Sequence, residues 1–490
     1  MNFHVIKRTL GWILIFEAVF MLVPLVTGII YEEKEIWSIL LSMLICVGVG
    51  GACLIGKQKN LSVYAKEGVT IVALSWIVMS FFGAFPFFIS RAIPSFIDAL
   101  FETVSGFTTT GATILPTGEA VEAMPKCLLM WRSFTHWVGG MGVLVFLMAF
   151  LPLSGARNMH IMKMESPGPS VGKLVPKVRQ TAKILYLIYS AFTVFEFVLL
   201  LFGEMNVFEA LNTAFATAGT GGFGTKGDSM GGFSSYTQIV VTVFMILFSI
   251  NFNSYFFILC GKIKEAFNLE VRVFFGIVVT AILVITFNIC LTAEELGFGV
   301  GETIKHTAFS VASVISTTGF STVDFNLWPS FSKTVLVLLM FVGACAGSTG
   351  GGMKVSRMVI LYKGATHEMK RMLHPKQVKK ITVDGHVVEH EVVRGVNAYL
   401  TAYVIVFIVS LLLITIEGHD LVTNFTAVVA TINNIGPGLG AVGPAGNFAF
   451  YSAFSKLVFI FDMLAGRLEI FPKRYGIRFY SCTGTQWPQH

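Results

Sequence analysis

Long apolar runs separated by short polar turns fill this chain, and they sort into two lengths. Runs long enough to cross a bilayer, which takes roughly 20 helical residues, are expected at 10–30, 36–56, 67–90, 127–151, 184–203, 237–260, 273–292, 333–361, 395–416 and 450–470. Between members of this series lie four half-length apolar segments, 96–107, 206–218, 302–315 and 421–432. These are too short to cross and read as re-entrant pore helices. Each runs into a small, hydroxyl- or amide-rich stretch centred on a glycine: Gly111, Gly222, Gly319 and Gly436. The spacings of 111, 97 and 117 residues suggest four copies of one long unit.

Irregular, glycine-centred backbone at membrane depth is tolerated only where protein or a water-filled cavity surrounds it. Four such stretches around an axis would form a ring of carbonyls able to replace the water around a bare cation. Glycines used for helix packing would instead lie within continuous apolar spans. The expected fold is therefore an all-α polytopic membrane protein: four potassium-channel-like helix–pore segment–helix repeats around a central pore, plus two extra N-terminal transmembrane helices. The divisions are 1–60 for those two helices, 61–155 for repeat one, 156–265 for repeat two and 266–362 for repeat three, whose second helix is interrupted. A cytoplasmic linker follows at 363–392, then repeat four at 393–472 and a C-terminal tail at 473–490.

Composition agrees with the pattern. Of 490 residues 54% are hydrophobic and 13% charged, against about 25% charged in soluble domains. The net charge of +7 lies in loops rather than a compact basic domain, so it sets orientation and gives no case for nucleic acid. Lys7 and Arg8, the run from Arg157 to Lys183, and the linker bearing Lys370, Arg371, Lys376 and Lys379 belong inside. The turns into the pore segments carry Glu204, Glu209, Glu294, Glu295, Glu302, Glu417 and Asp420. They face outward, either as a negative vestibule or as the residue of positive-inside sorting. Seven scattered cysteines give neither a disulfide framework nor a zinc site. The first apolar run lacks a clean cleavage site and reads as a retained span.

Several motifs need weighing. Gly438, Gly440 and Gly443 spell the dinucleotide fingerprint without its strand–helix context. The stretch from Gly343 to Lys354 resembles a phosphate-binding loop, but Met353 stands where the lysine belongs. Its five glycines break the span beside the third glycine stretch, giving either a gate across the conduction path or a mere kink. Arg467, near the end of the last span, either faces a polar cavity or snorkels to the cytoplasm. Arg132 and His136 read as interfacial anchors. Lys456 and Asp462 raise the same question as Arg467. No catalytic set emerges, so the chain reads as a transporter and not an enzyme.

Assembled, Thr108–Thr113, Trp131–Gly142, Thr220–Thr225, Ser316–Thr322, Gly347–Lys354, Asn433–Gly438 and Met463–Ile470 resemble the Trk/Ktr/HKT superfamily of potassium transporters, most closely a bacterial Trk-type potassium uptake membrane subunit. The resemblance implies potassium uptake across the bacterial plasma (inner) membrane. It implies ion binding by the carbonyls of Thr109, Thr110, Thr220, Gly221, Thr317, Thr318, Asn434 and Ile435, with Gly111, Gly222, Gly319 and Gly436 shaping the loops. Glycine at 111 implies potassium over sodium. A gate is implied at Gly347, Ser348, Thr349, Gly350, Gly351 and Gly352 with Arg467. Also implied are a homodimer, a cytosolic nucleotide-binding regulatory subunit of the TrkA-like kind, and potassium as substrate with no organic cofactor. Coupling to protons or sodium, or looser potassium/sodium selectivity, is the alternative. After Pro472 the chain departs from the family's usual apolar continuation.

Overall fold

The computed structural model describes residues 2–55, 65–116, 118–142, 178–292, 297–374 and 380–469. The basic run around Arg157–Lys177, Glu294, Glu295, Lys376, Lys379 and the tail from residue 473 lie outside the described residues.

Helices α1 (Phe3–Phe20) and α2 (Leu22–Ile30) make one apolar run, followed by α3 (Ile36–Leu54). Helices α1 and α3 approach closely where Gly11 meets Gly50: a Cβ on either would come within 2.9 Å of the other's carbonyl oxygen. Small residues permit that backbone proximity in a membrane. This N-terminal group packs on α4 (Ala65–Gly83) and its short continuation α5 (Phe85–Ile89).

The first half-length helix is α6 (Phe96–Phe107), started by Ser95, whose hydroxyl accepts from the Asp98 amide. After α7 (Gly118–Glu122), α8 (Lys126–Gly140) packs against α6 and α2. The helix expected over 127–151 thus ends at Gly140, and only Met141 and Gly142 beyond it are described.

Next come α9 (Val178–Leu201) and the second half-length helix α10 (Val207–Gly219). An Asn206–Glu209 capping box starts α10, each side chain receiving the other's backbone N–H. The expected single span 237–260 is instead two helices, α11 (Ser235–Ser249) and α12 (Phe252–Leu259), bent by 91°. Asn251 causes the break. Its side chain caps α12 by accepting from the Asn253 amide at 2.9 Å, and the Phe252 amide donates to the carbonyl of Gly347 at 3.1 Å.

A short α13 (Ile263–Ala266) leads to α14 (Leu269–Thr292), and the third half-length helix is α15 (Val300–Ser316). Then α16 (Ser330–Val342) stops at Gly343 and the helical path resumes only at α17 (Val355–Leu373). The linker holds a two-residue hairpin, Thr382–Val383 with His386–Val387. Its Asp384 accepts from the Leu269 amide at 2.9 Å. Finally come α18 (His390–Thr415), the fourth half-length helix α19 (Leu421–Ile432) and α20 (Ala453–Leu468).

Among the described residues six helices have the length and apolarity to cross a bilayer, or seven if the bent pair counts as one. They surround the half-length helices, and burial divides accordingly. In α6 the run Phe101–Phe107 is buried, in α15 Phe309–Ser316 and in α19 Thr426–Ile432. The long helices expose apolar side chains outward: Leu283, Phe287 and Leu291 on α14, and Ile405, Val409 and Leu412 on α18. Only lipid accommodates such a surface without cost.

Candidate ion pathway

Each half-length helix ends in the same way. The amides of Thr110, Gly221, Thr318 and Ile435 donate to the carbonyls of Ser105, Ala216, Ser313 and Ala430 at 2.8, 2.9, 2.9 and 2.8 Å. This bond, reaching back across the helix terminus, is the Schellman arrangement, which requires a left-handed residue before the donor. Thr109, Thr220, Thr317 and Asn434 fill that place at φ of 57°, 56°, 59° and 55°. For threonine the conformation costs roughly 1–2 kcal/mol, so the surrounding structure must enforce it.

Two residues on, Gly111, Gly222, Gly319 and Gly436 again have positive φ, between 77° and 95°. A Cβ at Gly111 would overlap the carbonyl oxygen of Gly221; at Gly222, that of Thr318; at Gly319, that of Ile435; and at Gly436 it would lie 2.7 Å from that of Thr110. The four segments therefore follow one another in chain order and close into a ring, with a backbone carbonyl at each joint. Hydrogen bonds in the flanking loops repeat the closure. Met230 N–H donates to Ser321 O at 2.9 Å, Gly440 N–H to Asn326 Oδ1 at 2.9 Å, and Phe448 N–H to Thr113 O at 2.8 Å. A cavity lined by the four glycines, Phe223, Asn447 and Phe448 opens on this side.

Side chains fasten the ring from behind. Asn434 Nδ2 donates to Thr110 Oγ1 at 3.0 Å and to Met463 O at 2.9 Å. The hydroxyls of Thr108 and Thr110 pair at 2.8 Å, and those of Ser316 and Thr318 at 2.6 Å.

On the opposite side of the ring runs the Gly343–Lys354 loop. Gly351 N–H donates to Thr317 Oγ1 at 2.6 Å and Gly352 N–H to Asn433 O at 3.1 Å. Gly350 sits where a Cβ would press on Ser316 O at 2.7 Å. Glycine is needed here because the loop lies directly against the ends of α15 and α19. Arg467 spans the gap between this loop and α8: Nη1 donates to Thr349 O at 2.8 Å, and Nη2 to Gly139 O at 2.6 Å and Gly140 O at 2.8 Å. A cavity lined by Trp76, Gly140, Gly350, Gly351, Lys354 and Arg467 opens beneath.

The family model for cation transport proteins named TrkH matches residues 36–475. The chain belongs to the TrkH cation transport family. Similar relatives include the Trk system potassium uptake protein TrkH of Escherichia coli K12, 35% identical over 477 residues, 96% of this chain and 97% of that protein. The TrkH of Vibrio parahaemolyticus is 34% identical over 479 residues, at 96% and 97% coverage. The crystal structure of the potassium transporter TrkH from that organism superposes with a TM-score of 0.86 at 33% identity, covering 96% of this chain and 98% of that one. With its set of apolar crossing helices, this TrkH-family chain is a multi-pass protein of the bacterial plasma membrane. Its family is one of cation transporters rather than enzymes.

All the sequence-predicted ring residues come together, and the loop 347–352 and Arg467 meet beneath them. The guanidinium of Arg467 donates to three backbone carbonyls, one on the loop and two on α8. Lys456 pairs with Asp98 at 2.6 Å, and Asp462 accepts from Ser410 Oγ at 2.6 Å. The interfacial reading of Arg132 and His136 is wrong. Both are buried, with Arg132 Nε 2.5 Å from Glu102 and His136 Nδ1 2.7 Å from Gly106 O. Three further groups around the loop escaped the sequence reading. Lys354 donates to Gly350 O at 2.5 Å, Glu270 accepts from the amides of Ala346 and Ser356 at 2.6 and 3.1 Å, and Arg357 pairs with Glu469 at 2.5 Å. For Lys354 and Arg357 the available signal was a charge inside the apolar run 333–361; Glu270 lies between two runs and gave none.

Three of the acids expected to face outward make structural contacts. Glu209 belongs to the α10 capping box, Asp420 accepts from the amides of Val422 and Thr423, and Glu417 accepts from Ser452 and Ser455. A carboxylate at a helix N-terminus is stabilised by the unpaired amides there.

Proposed function

We propose that this chain carries potassium ions into the bacterial cell through the ring, which acts as a selectivity filter. The single observation that carries this reading is the fourfold recurrence of one backbone conformation, with each glycine packed on the preceding carbonyl of the next segment. The carbonyls of Thr109, Thr110, Thr220, Gly221, Thr317, Thr318, Asn434 and Ile435 would take the place of hydration water around the ion. On this reading the chain divides into four pore repeats, and Gly111 keeps the first of them free of side-chain bulk. An inside-negative potential drives entry with about 2.3 kcal/mol per 100 mV for each charge. Neither an organic cofactor nor chemistry on the protein is needed.

The loop 347–352 with Arg467 is the proposed gate. The guanidinium holds the loop across the path and sets a positive charge below the filter, which disfavours a dehydrated cation there. The relatives are named as parts of a Trk system, which supports a working complex with further components. A second copy of the chain and a cytosolic nucleotide-binding regulator are the proposed ones.

The test is tracer flux into liposomes containing the purified chain, with a voltage imposed and no proton or sodium gradient. Rubidium-86 uptake that follows the voltage and is competed by potassium supports the reading. Uptake that appears only with a proton or sodium gradient would instead mean obligatory coupling.

A further inference from the structure

Of the four residues whose carbonyls meet the preceding segment's glycine, Thr110, Thr318 and Ile435 carry side chains and Gly221 does not. The space beside Gly221 is taken by the imidazole of His136. A Cβ on Gly221 would overlap Nδ1, Cγ and Cε1 of that ring. His136 comes from α8, which follows the first segment in the chain, so the substitution at 221 answers a residue from another part of the sequence.

The hydrogen bonds of His136 define its chemical state. Nδ1 lies 2.7 Å from Gly106 O, and a carbonyl only accepts, so the proton is on Nδ1. Nε2 lies 3.3 Å from the amide nitrogen of Phe223, which donates, so Nε2 carries none. The imidazole is neutral and fully enclosed. It joins the end of α6, just before the first segment, to the residue that follows Gly222.

One turn earlier on α8, Arg132 makes the same connection. Its Nε meets Glu102 on α6 at 2.5 Å, its Nη1 donates to Gly224 O at 3.2 Å, and its guanidinium carbon lies 3.5 Å from the centre of the Phe223 ring. An i, i+4 pair on α8 thus grips an i, i+4 pair on α6, Glu102 and Gly106, on one side. On the other side it grips Phe223 and Gly224.

We propose that His136 is a selectivity-determining positioning residue: its neutral imidazole is the spacer that sets how far the first and second filter segments stand apart. The inference rests on the reading of the ring as a selectivity filter. Potassium and sodium differ in the coordination they need, and the separation of the carbonyls is the quantity a backbone filter controls. Hydroxyl pairs hold the first and third segments from within. The second segment has glycine in place of such a side chain and takes its support from His136.

The experiment compares rubidium-86 and sodium-22 influx at a fixed voltage for the full chain in liposomes. His136→Leu fills the space but makes neither hydrogen bond, and should lower the rubidium-to-sodium ratio about tenfold. His136→Gln can donate to Gly106 and accept from Phe223 through its amide, and should stay within about threefold of wild type. Gly221→Ala should lower the ratio because its methyl group displaces the ring. Combined with His136→Ala, it should add no further loss beyond that of His136→Ala alone, a non-additivity expected of groups in contact. Gly111→Ser is the control for the filter itself. A wild-type ratio in His136→Leu beside a lowered one in Gly111→Ser overturns the spacer role and leaves the filter reading standing. A wild-type ratio in every variant overturns the filter reading. Should His136→Leu fail to fold, as judged by size-exclusion in detergent, the Gly221 cycle decides. Fully additive losses there overturn the spacer role.

Discussion

Arg132 Nε lies 2.5 Å from a carboxylate oxygen of Glu102, and both side chains are closed off from solvent. Glu102 also accepts from the Ile114 amide at 3.0 Å and faces Thr113 Oγ1 at 3.0 and 3.1 Å. A buried ion pair is stabilising only when its remaining polar atoms are satisfied, and here the chain just beyond Gly111 supplies the missing donors. The pair therefore fixes the exit of the first segment as well as its helix.

Removing one partner strands the other. Arg132→Leu should destabilise the protein by roughly 3–5 kcal/mol, the usual cost of an uncompensated buried charge. Glu102→Gln with Arg132→Gln should recover much of that loss, because two neutral amides can hydrogen bond in the same space. Thermal unfolding in detergent checks the order of the three proteins. A double variant no more stable than Arg132→Leu would show that the pair's charge is not what matters.

At Gly111, φ is 78° and an added Cβ would overlap Gly221 O. Gly111→Ser should displace the joint between the first and second segments and reduce potassium preference over sodium by about tenfold or more, in line with the carbonyl geometry that selectivity depends on. Reversal potentials in mixed potassium and sodium solutions measure it. An unchanged value would remove Gly111 from the filter.

The ring and the loop were legible in the chain because their signals are local. A half-length apolar run followed by a glycine-centred polar stretch reports a re-entrant segment wherever it occurs. Five glycines between 343 and 352 report a broken helix. What escaped depends on partners far away in sequence. Arg132 and His136 sit between Trp131 and Trp137, a pattern equally suited to a membrane interface; only Glu102, Gly106 and Phe223 make it a buried strut. The 91° bend after Ser249 had a local sign in Asn251, a good N-cap residue. Its fixation by Gly347 O, almost a hundred residues away, had none.

Glu417 gives a pH dependence outside the membrane-crossing helices. Burial pushes its carboxyl up, but hydrogen bonds from Ser452 and Ser455 outweigh this and hold it below the ordinary range. A depressed carboxylate contributes stability that is fully present above its unfolded value of about 4.3 and is lost as pH falls through the lower folded value. Glu417→Gln should therefore melt below wild type at neutral pH and converge with it under acid. A melting difference independent of pH would assign the effect to packing instead of charge.

The proposed gate gives the last prediction. Arg467 bonds to Thr349 O on one side and to Gly139 O and Gly140 O on the other, so a single side chain ties the loop to α8. Hydrogen bonds from a charged donor contribute about 1.5–3 kcal/mol each; they are the loop's link to α8, while Lys354, Glu270 and the amides of Gly351 and Gly352 anchor it elsewhere. Arg467→Ala should raise basal rubidium flux about tenfold or more without changing the rubidium-to-sodium ratio, because the ring's own bonds are untouched. Arg467→Lys keeps the charge but cannot span three carbonyls with a planar fork, and should give intermediate flux. Deleting residues 347–350 should also open the path. It removes the Gly347 carbonyl that receives the Phe252 amide, so the α11–α12 bend should loosen as well, with faster hydrogen exchange at Phe252. A folded Arg467→Ala protein that conducts at the wild-type rate would move the gate away from this loop, whatever the deletion does.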